Sequence, residues 1–214
     1  MSEAFEYENV KIINSISKRR MTKPLEQIIT NKKNDVMGFI IDDFMMDTMW
    51  DIYWILKQTR IARTTKRQVD TLDFCDSKSV QSMIVGLRWN YYKRQYETPA
   101  HDVKNGDALF KLIKKLCDYI CNKYDLTLDC NTATINKNFR CSLHQDKSNI
   151  GNSLTFSLGD FKDGELDIRC NDEHLSFIGT YDTKFNPIYF DGSKLPHEVR
   201  AFEGTRYSVV CYRI

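Results

Sequence analysis

At 214 residues, with 42% hydrophobic and 28% charged residues, the chain has the make-up of a folded globular protein rather than a disordered one. That length suits one well-buried domain with a helical extension and excludes two full domains. A net charge of +2 is too mild to argue for nucleic acid by itself, and seven cysteines without a CxxC pair point to reduced thiols rather than a disulfide framework.

The start, Met1-Ser2-Glu3-Ala4-Phe5-Glu6, is acidic and lacks the basic start and apolar core of a signal peptide, so an intracellular location, cytoplasmic or nuclear, is expected. The first element read along the chain is a helix within 36–56. There Ile41, Met45, Met49, Ile52 and Leu56 recur at helical spacing and form one stripe. The same stretch holds Asp42, Asp43, Asp47 and Asp51, which excludes a membrane span. A second helix is expected from about Ser77 to Trp89, capped by Asp76 or Ser77. A third begins near Asn105 and carries Leu109, Leu112, Leu116 and Ile120 on one face. Pro99 and Asn105-Gly106 break the chain before it.

After Asp129 the period changes to two. Leu154, Phe156 and Leu158 alternate with polar residues, and the stretch Gly159 to Gly164 makes a turn. Leu166, Ile168 and Cys170 alternate next, before a turn at Asn171-Asp172. Further short runs cover 174–178, 187–190 and 206–213. The pattern predicts an α+β chain: a mainly helical region over 1–128 buttressing a β sandwich or barrel over 129–214, in a single compact unit.

The chemistry gathers in that second region. The chain has four histidines: His101, His144, His174 and His197. In an extended segment His144 and Asp146 of Leu143-His144-Gln145-Asp146 project the same way, and so can share a metal. His197, after Pro196, would complete a set of two histidines and one carboxylate. That set leaves three adjacent positions open, as oxygen activation at iron(II) requires. An H-x-D motif alone is weak in a chain with 29 acidic residues, and a lone histidine is more often a surface or core residue. On the final strand Arg206 and Ser208 share one face, opposite Tyr207, Val209 and Cys211. Such a pair makes a receptor for a carboxylate. Taken alone, Arg206 reads rather as half of a structural ion pair on a terminal strand, and it is the triad beside it that favours the receptor.

The segments Ile135–Ser153 and Leu158–Leu166 resemble 2-oxoglutarate/Fe(II) dioxygenases of the double-stranded β-helix fold. So do Phe190–His197 and Phe202–Val210. The resemblance is to the TET/JBP-like branch, which oxidises the methyl group of pyrimidine bases. The string Leu143-His144-Gln145-Asp146-Lys147 is also similar to AlkB-type nucleic-acid demethylases. It covers about 130–214 and implies Fe(II), 2-oxoglutarate and O2 as cofactor and co-substrates. By the family pattern His144, Asp146 and His197 are the iron ligands, and Arg206 assisted by Ser208 anchors 2-oxoglutarate. Asn136 and Asn138 match positions that touch the co-substrate. Asp163-Gly164 replaces the family's usual Gly-Gly, altering a turn, and the presence of Asp146 disfavours the halide-binding variant of this chemistry.

The substrate is less legible. Lys57, Arg60, Arg63, Lys66 and Arg67 form a basic segment that would attract phosphates. Trp89, Tyr91, Tyr92, Lys93, Arg94 and Tyr96 interleave aromatics with cations, which suits base stacking, although such residues commonly just pack or face water. Hydroxylation of a methyl group on a nucleic-acid base is the leading expectation. A protein side chain, a small metabolite and a non-catalytic β-barrel scaffold are the alternatives. Neither His101 nor His174 has a nameable partner, and Glu198 is expected to point away from the neighbouring His197.

Overall fold

The computed structural model describes residues 30–31, 36–62, 81–90, 92–98 and 105–214. Tyr91, His101, residues 77–80 and Arg63, Lys66 and Arg67 of the basic segment lie outside the described residues. In chain order the elements are β1 (Thr30–Asn31), β2 (Val36–Gly38), α1 (Asp43–Gln58), β3 (Gln81–Gly86), β4 (Arg88–Asn90), β5 (Gln95–Glu97) and α2 (Gly106–Tyr124). There follow β6 (Thr132–Lys137), β7 (Ser153–Asp163), β8 (Leu166–Arg169), β9 (Phe177–Tyr181), β10 (Ile188–Phe190), β11 (His197–Val199) and β12 (Phe202–Tyr212). No described helix is long and apolar enough to cross a membrane.

Helix α1 starts where Asp42 caps it: the carboxylate accepts the Met45 amide at 2.8 Å and satisfies one of the open donors of the first turn. The helix therefore occupies less of 36–56 than its apolar pattern suggests. Residues 36–38 form β2 instead, with Met37 and Gly38 paired to Tyr189 and Ile188 of β10. Met45, Met49, Ile52 and Leu56 are fully buried, as their spacing predicts, while Ile41 precedes the helix and packs only partly. On α2 the residues Leu109, Leu116 and Ile120 are buried, with Leu112 half-buried beside them. Met49→Ala empties a fully buried site and is expected to lower unfolding free energy by about 2–5 kcal/mol, read by urea denaturation.

The expected second helix is not formed over its described part, which is strand. Met83 and Val85 bury beneath the helices while β3 pairs along the whole of β6, from Gln81 against Lys137 to Gly86 against Thr132. An apolar run of this length fits either period, and pairing with β6 decides it. Gly86 has φ +84°, and a Cβ there would lie 2.4 Å from the Asn131 carbonyl oxygen, so only glycine allows the approach. A second shift concerns 174–178. The Asp172 carboxylate accepts the His174 and Ser176 amides, prolonging the turn and delaying β9 to Phe177–Tyr181.

Seven strands form one sheet in the order β1-β2-β10-β7-β12-β6-β3, faced by the three-stranded sheet β11-β8-β9. Every strand pair is antiparallel. The two-residue period sorts the side chains. Leu154, Phe156, Leu158, Tyr207, Val209, Cys211, Ala133 and Ile135 join the core under α1 and α2. Their neighbours Thr134, Asn136, Ser153, Thr155, Arg206 and Ser208 line a cavity on the opposite face. A smaller cluster of Val36, Leu166, Ile168, Tyr181, Ile188 and Phe190 ties the two sheets together. This is the expected α+β architecture, with helices buttressing a two-sheet β core, and it draws β2 and β3 from the first part of the chain. At the turn between β7 and β8, Asp163 and Gly164 both have positive φ (61° and 81°), conformations that Asp and Gly tolerate best.

Candidate metal and co-substrate site

The chain brings His144 and His197 together through their backbones. Each donates its amide to the other's carbonyl, at 3.0 and 2.9 Å, in a single antiparallel bridge. The two rings lie 4.4 Å apart. Asp146 follows in the same loop, held by its amide to the Gly192 carbonyl at 2.9 Å. Its oxygens approach His144 Nε2 at 3.6 Å and His197 Nε2 at 3.8 Å, and one ligand atom from each residue lies within 4.8 Å of the other two. Gly192 packs against the cluster, where a Cβ would make ordinary contacts of 3.4 Å with His197 Cε1 and 3.6 Å with Asp146 Oδ2.

Both imidazoles have a fixed tautomer. His144 Nδ1 faces the Ser142 carbonyl at 2.8 Å, and His197 Nδ1 faces that of Leu195 at 2.9 Å. A carbonyl only accepts, so each Nδ1 carries a proton, which leaves each Nε2 facing Asp146. Burial holds the His197 pKa below its usual value and the nearby His144 adds to this, while Asp146 and the bond to Leu195 oppose it. A neutral imidazole at physiological pH is what metal ligation needs.

Arg206 lies at the far end of the same cavity, 3% exposed. Its guanidinium sits 5.6 Å from the rings of Phe161 and of Phe202, and Nη2 donates to Thr183 Oγ1 at 3.3 Å. Thr183 Oγ1 in turn shares a 2.8 Å hydrogen bond with Ser157 Oγ. The buried Nε has no partner, and among the described residues no carboxylate lies within ion-pair distance of the guanidinium. Burial lowers its pKa to about 10, so it remains charged at neutral pH. Among the described residues no carboxylate pairs with this buried cation, a costly state that an anion in the cavity would relieve.

The two ends are set by register. Asn149 Nδ2 donates to Ser153 Oγ at 3.1 Å and reaches Asp146 Oδ2 at 3.5 Å, which places the His-Asp-His cluster at the start of β7. That level faces the Tyr212 end of β12, since Leu154 pairs with Cys211, whereas Arg206 pairs with Gly159. The cavity encloses about 100 Å³, several times the ~15 Å³ that one water molecule requires.

No family model matches the chain, and no curated protein matches it. Solved structures do. The chain is similar to OsALKBH1, with a TM-score of 0.55 and 15% identity over 85% of this chain and 98% of that one. It is similar to a prolyl hydroxylase from Trichoplax adhaerens in complex with a hypoxia inducible factor oxygen degradation domain peptide (TM-score 0.53, 10% identity, 85% and 84% covered). It is also similar to NgTET1 in complex with 5mC DNA (TM-score 0.54, 13% identity, 83% and 71% covered). The chain has the fold of the 2-oxoglutarate/Fe(II) oxygenases. At these identities the likeness carries the fold alone.

Within that oxygenase fold the sequence-predicted residues divide. His144, Asp146, His197, Arg206, Ser208 and Asn136 all line the same cavity, with Asn136 Nδ2 3.5 Å from Ser208 Oγ. Asn138 does not line it. Its side chain accepts the Arg206 amide at 2.9 Å and so holds the strand that carries the arginine. Lys57 and Arg60 at the end of α1 are also outside the cavity, and the Lys57 ammonium lies 4.9 Å from the Trp54 ring. His174 is exposed in a turn, and Glu198 reaches Arg169 at 3.3 Å rather than His197. Sequence reasoning missed Asn149, Thr155 and Thr183, which line the cavity too. Only Thr155 carried a signal, as the polar partner of Leu154 and Phe156 on an alternating strand.

Proposed function

We propose that the chain is an Fe(II)- and 2-oxoglutarate-dependent dioxygenase that hydroxylates a C–H bond, with a methyl group on a pyrimidine base of nucleic acid as its substrate. One observation carries the reading: a single cavity holds a His-Asp-His cluster at one end and a buried, incompletely bonded guanidinium at the other.

The residues fit the implied groups. Two imidazoles and one carboxylate, with no thiolate in the cluster, suit Fe(II) and leave adjacent positions open. His144, Asp146 and His197 would hold the metal. Arg206 and Ser208 would receive the distal carboxylate of 2-oxoglutarate, the arginine through charge and its unbonded Nε, the serine through its hydroxyl. When bound, the metal with 2-oxoglutarate and O2 supplies the oxidising power for C–H hydroxylation. The protein's own part is to turn both Nε2 atoms toward Asp146, to fix the co-substrate's direction along β12, and to line the site with Phe190, Leu166 and Val199.

The substrate class draws on the sequence likeness to the TET/JBP-like branch and on the fold shared with a protein solved with 5mC DNA. Oxidation of a protein side chain is the second reading, favoured by the fold shared with a prolyl hydroxylase bound to a peptide.

Anaerobic titration of the Fe(II)-loaded chain with 2-oxoglutarate tests the core of the proposal. A weak visible charge-transfer band is expected in the wild type and none in His144→Ala. A folded wild type that takes up iron yet shows no band with 2-oxoglutarate would falsify the enzymatic reading and bring the scaffold alternative forward.

A further inference from the structure

Among the described residues, the hairpin of β4 and β5 gathers three exposed aromatic rings. Trp89 and Tyr96 face each other across it, with ring centroids 5.0 Å apart and planes at 68°. Tyr92 at its tip is fully exposed, and Trp89 and Tyr96 are 41% and 53% exposed. The same hairpin carries Arg88, Lys93 and Arg94 against a single carboxylate, Glu97, which Lys93 already meets at 2.8 Å. Aromatic rings shown to solvent among an excess of cations are the chemistry that stacks bases and attracts phosphates.

Its root fixes where this surface lies. Leu87, between β3 and β4, donates its amide to the Asn131 carbonyl at 2.8 Å and accepts from Thr132 Oγ1 at 3.0 Å. Asn131 donates its amide to Tyr212, and Tyr212 lines the cavity. The hairpin is therefore anchored at the Tyr212 end of β12, the level of the His-Asp-His cluster, away from Arg206. Ile150, 59% exposed, is tied to the same corner by its amide bond to the Arg213 carbonyl at 2.8 Å. A substrate must approach the metal from the end that the co-substrate anchor leaves open.

We infer that the β4–β5 hairpin is a stacking surface for single-stranded nucleic acid, which it delivers to the metal end of the cavity. This deepens the function proposed above and depends on it for the substrate class. A base inside a duplex reaches a buried cavity only at the cost of being flipped out of the stack, whereas a single strand offers its bases without that cost.

The test is fluorescence anisotropy of a labelled single-stranded oligodeoxynucleotide with the full chain, across a salt series. Wild-type binding that weakens with salt is expected. Trp89→Ala combined with Tyr92→Ala should weaken it about tenfold. Arg94→Gln, a milder change at an exposed tip, should make the slope of log affinity against log salt shallower by about 0.7. Both variants should keep the far-ultraviolet circular dichroism and the Fe(II)/2-oxoglutarate band of the wild type. Three results would each overturn the inference: no single-strand binding by the wild type, unchanged binding in both variants, or equal affinity for the matching duplex. An acidic peptide that binds and loses the same tenfold would move the surface to a protein partner and overturn it too. The two readings fail separately. A band without strand binding removes the hairpin inference alone, and strand binding lost in the variants without any band leaves it standing.

Discussion

Asp146→Ala is expected to lower Fe(II) affinity more than about 100-fold while changing the stability of the metal-free fold by less than about 1 kcal/mol. Removal of even an outer hydrogen-bond partner weakens metal sites about 10- to 100-fold, and Asp146 supplies the only carboxylate of the cluster. The fold tolerates the change because the backbone of Asp146 is held independently of its side chain. Its amide donates to Gly192 and its carbonyl accepts from Asn149, both at 2.9 Å. The carboxylate itself is 31% exposed, and truncation at such a position perturbs folding little. Calorimetric titration with Fe(II) under argon, beside a urea melt, separates the two effects. Unchanged iron affinity would remove Asp146 from the metal site. A large loss of stability would make it a structural residue first.

Arg206→Met is expected to act in opposite directions on binding and stability. The guanidinium is buried without a carboxylate partner, and burial depresses its pKa to about 10. Replacing such a group by an apolar side chain of similar length should stabilise the metal-free protein by about 1–3 kcal/mol. For a chain of this size that raises the melting temperature by about 2–4 °C per kcal/mol. Affinity for 2-oxoglutarate should fall at least about 30-fold, as for other buried charge pairs that lose one member. The sign with pH follows. The arginine is protonated at neutral pH, so co-substrate affinity should be steady from pH 7 to 9 and decline above pH 10 as the cation is lost. A variant that is less stable than wild type yet binds 2-oxoglutarate normally would return Arg206 to the role of a structural cation.

The gain and the loss have one physical source. A site pre-organised for an anion would keep a desolvated charge waiting, and Phe161, Phe202 and Thr183 surround the guanidinium that carries it.

Much of this was present in local sequence. The alternation of Leu154, Phe156 and Leu158 with polar residues, and of Arg206 and Ser208 with Tyr207, Val209 and Cys211, determined which side chains enter the cavity and which the core. A strand has a period of two wherever it is placed, so those facings survive any tertiary arrangement. The same holds for the stripe on α2 and for the three candidate metal ligands, whose residue types state the chemistry. Tertiary structure decided the rest. Residues 81–86 form a strand because β6 offers an edge to pair with, and nothing within that run distinguishes the two periods. Val36–Gly38 leaves the α1 pattern for the same reason, claimed by β10. The encounter of His144 with His197 across 53 positions, the orphaned Nε of Arg206, and the tie of the aromatic hairpin's root to the Tyr212 end of β12 are all long-range facts. Local sequence sets what each residue can do, but only the closing of the sheets sets what it meets.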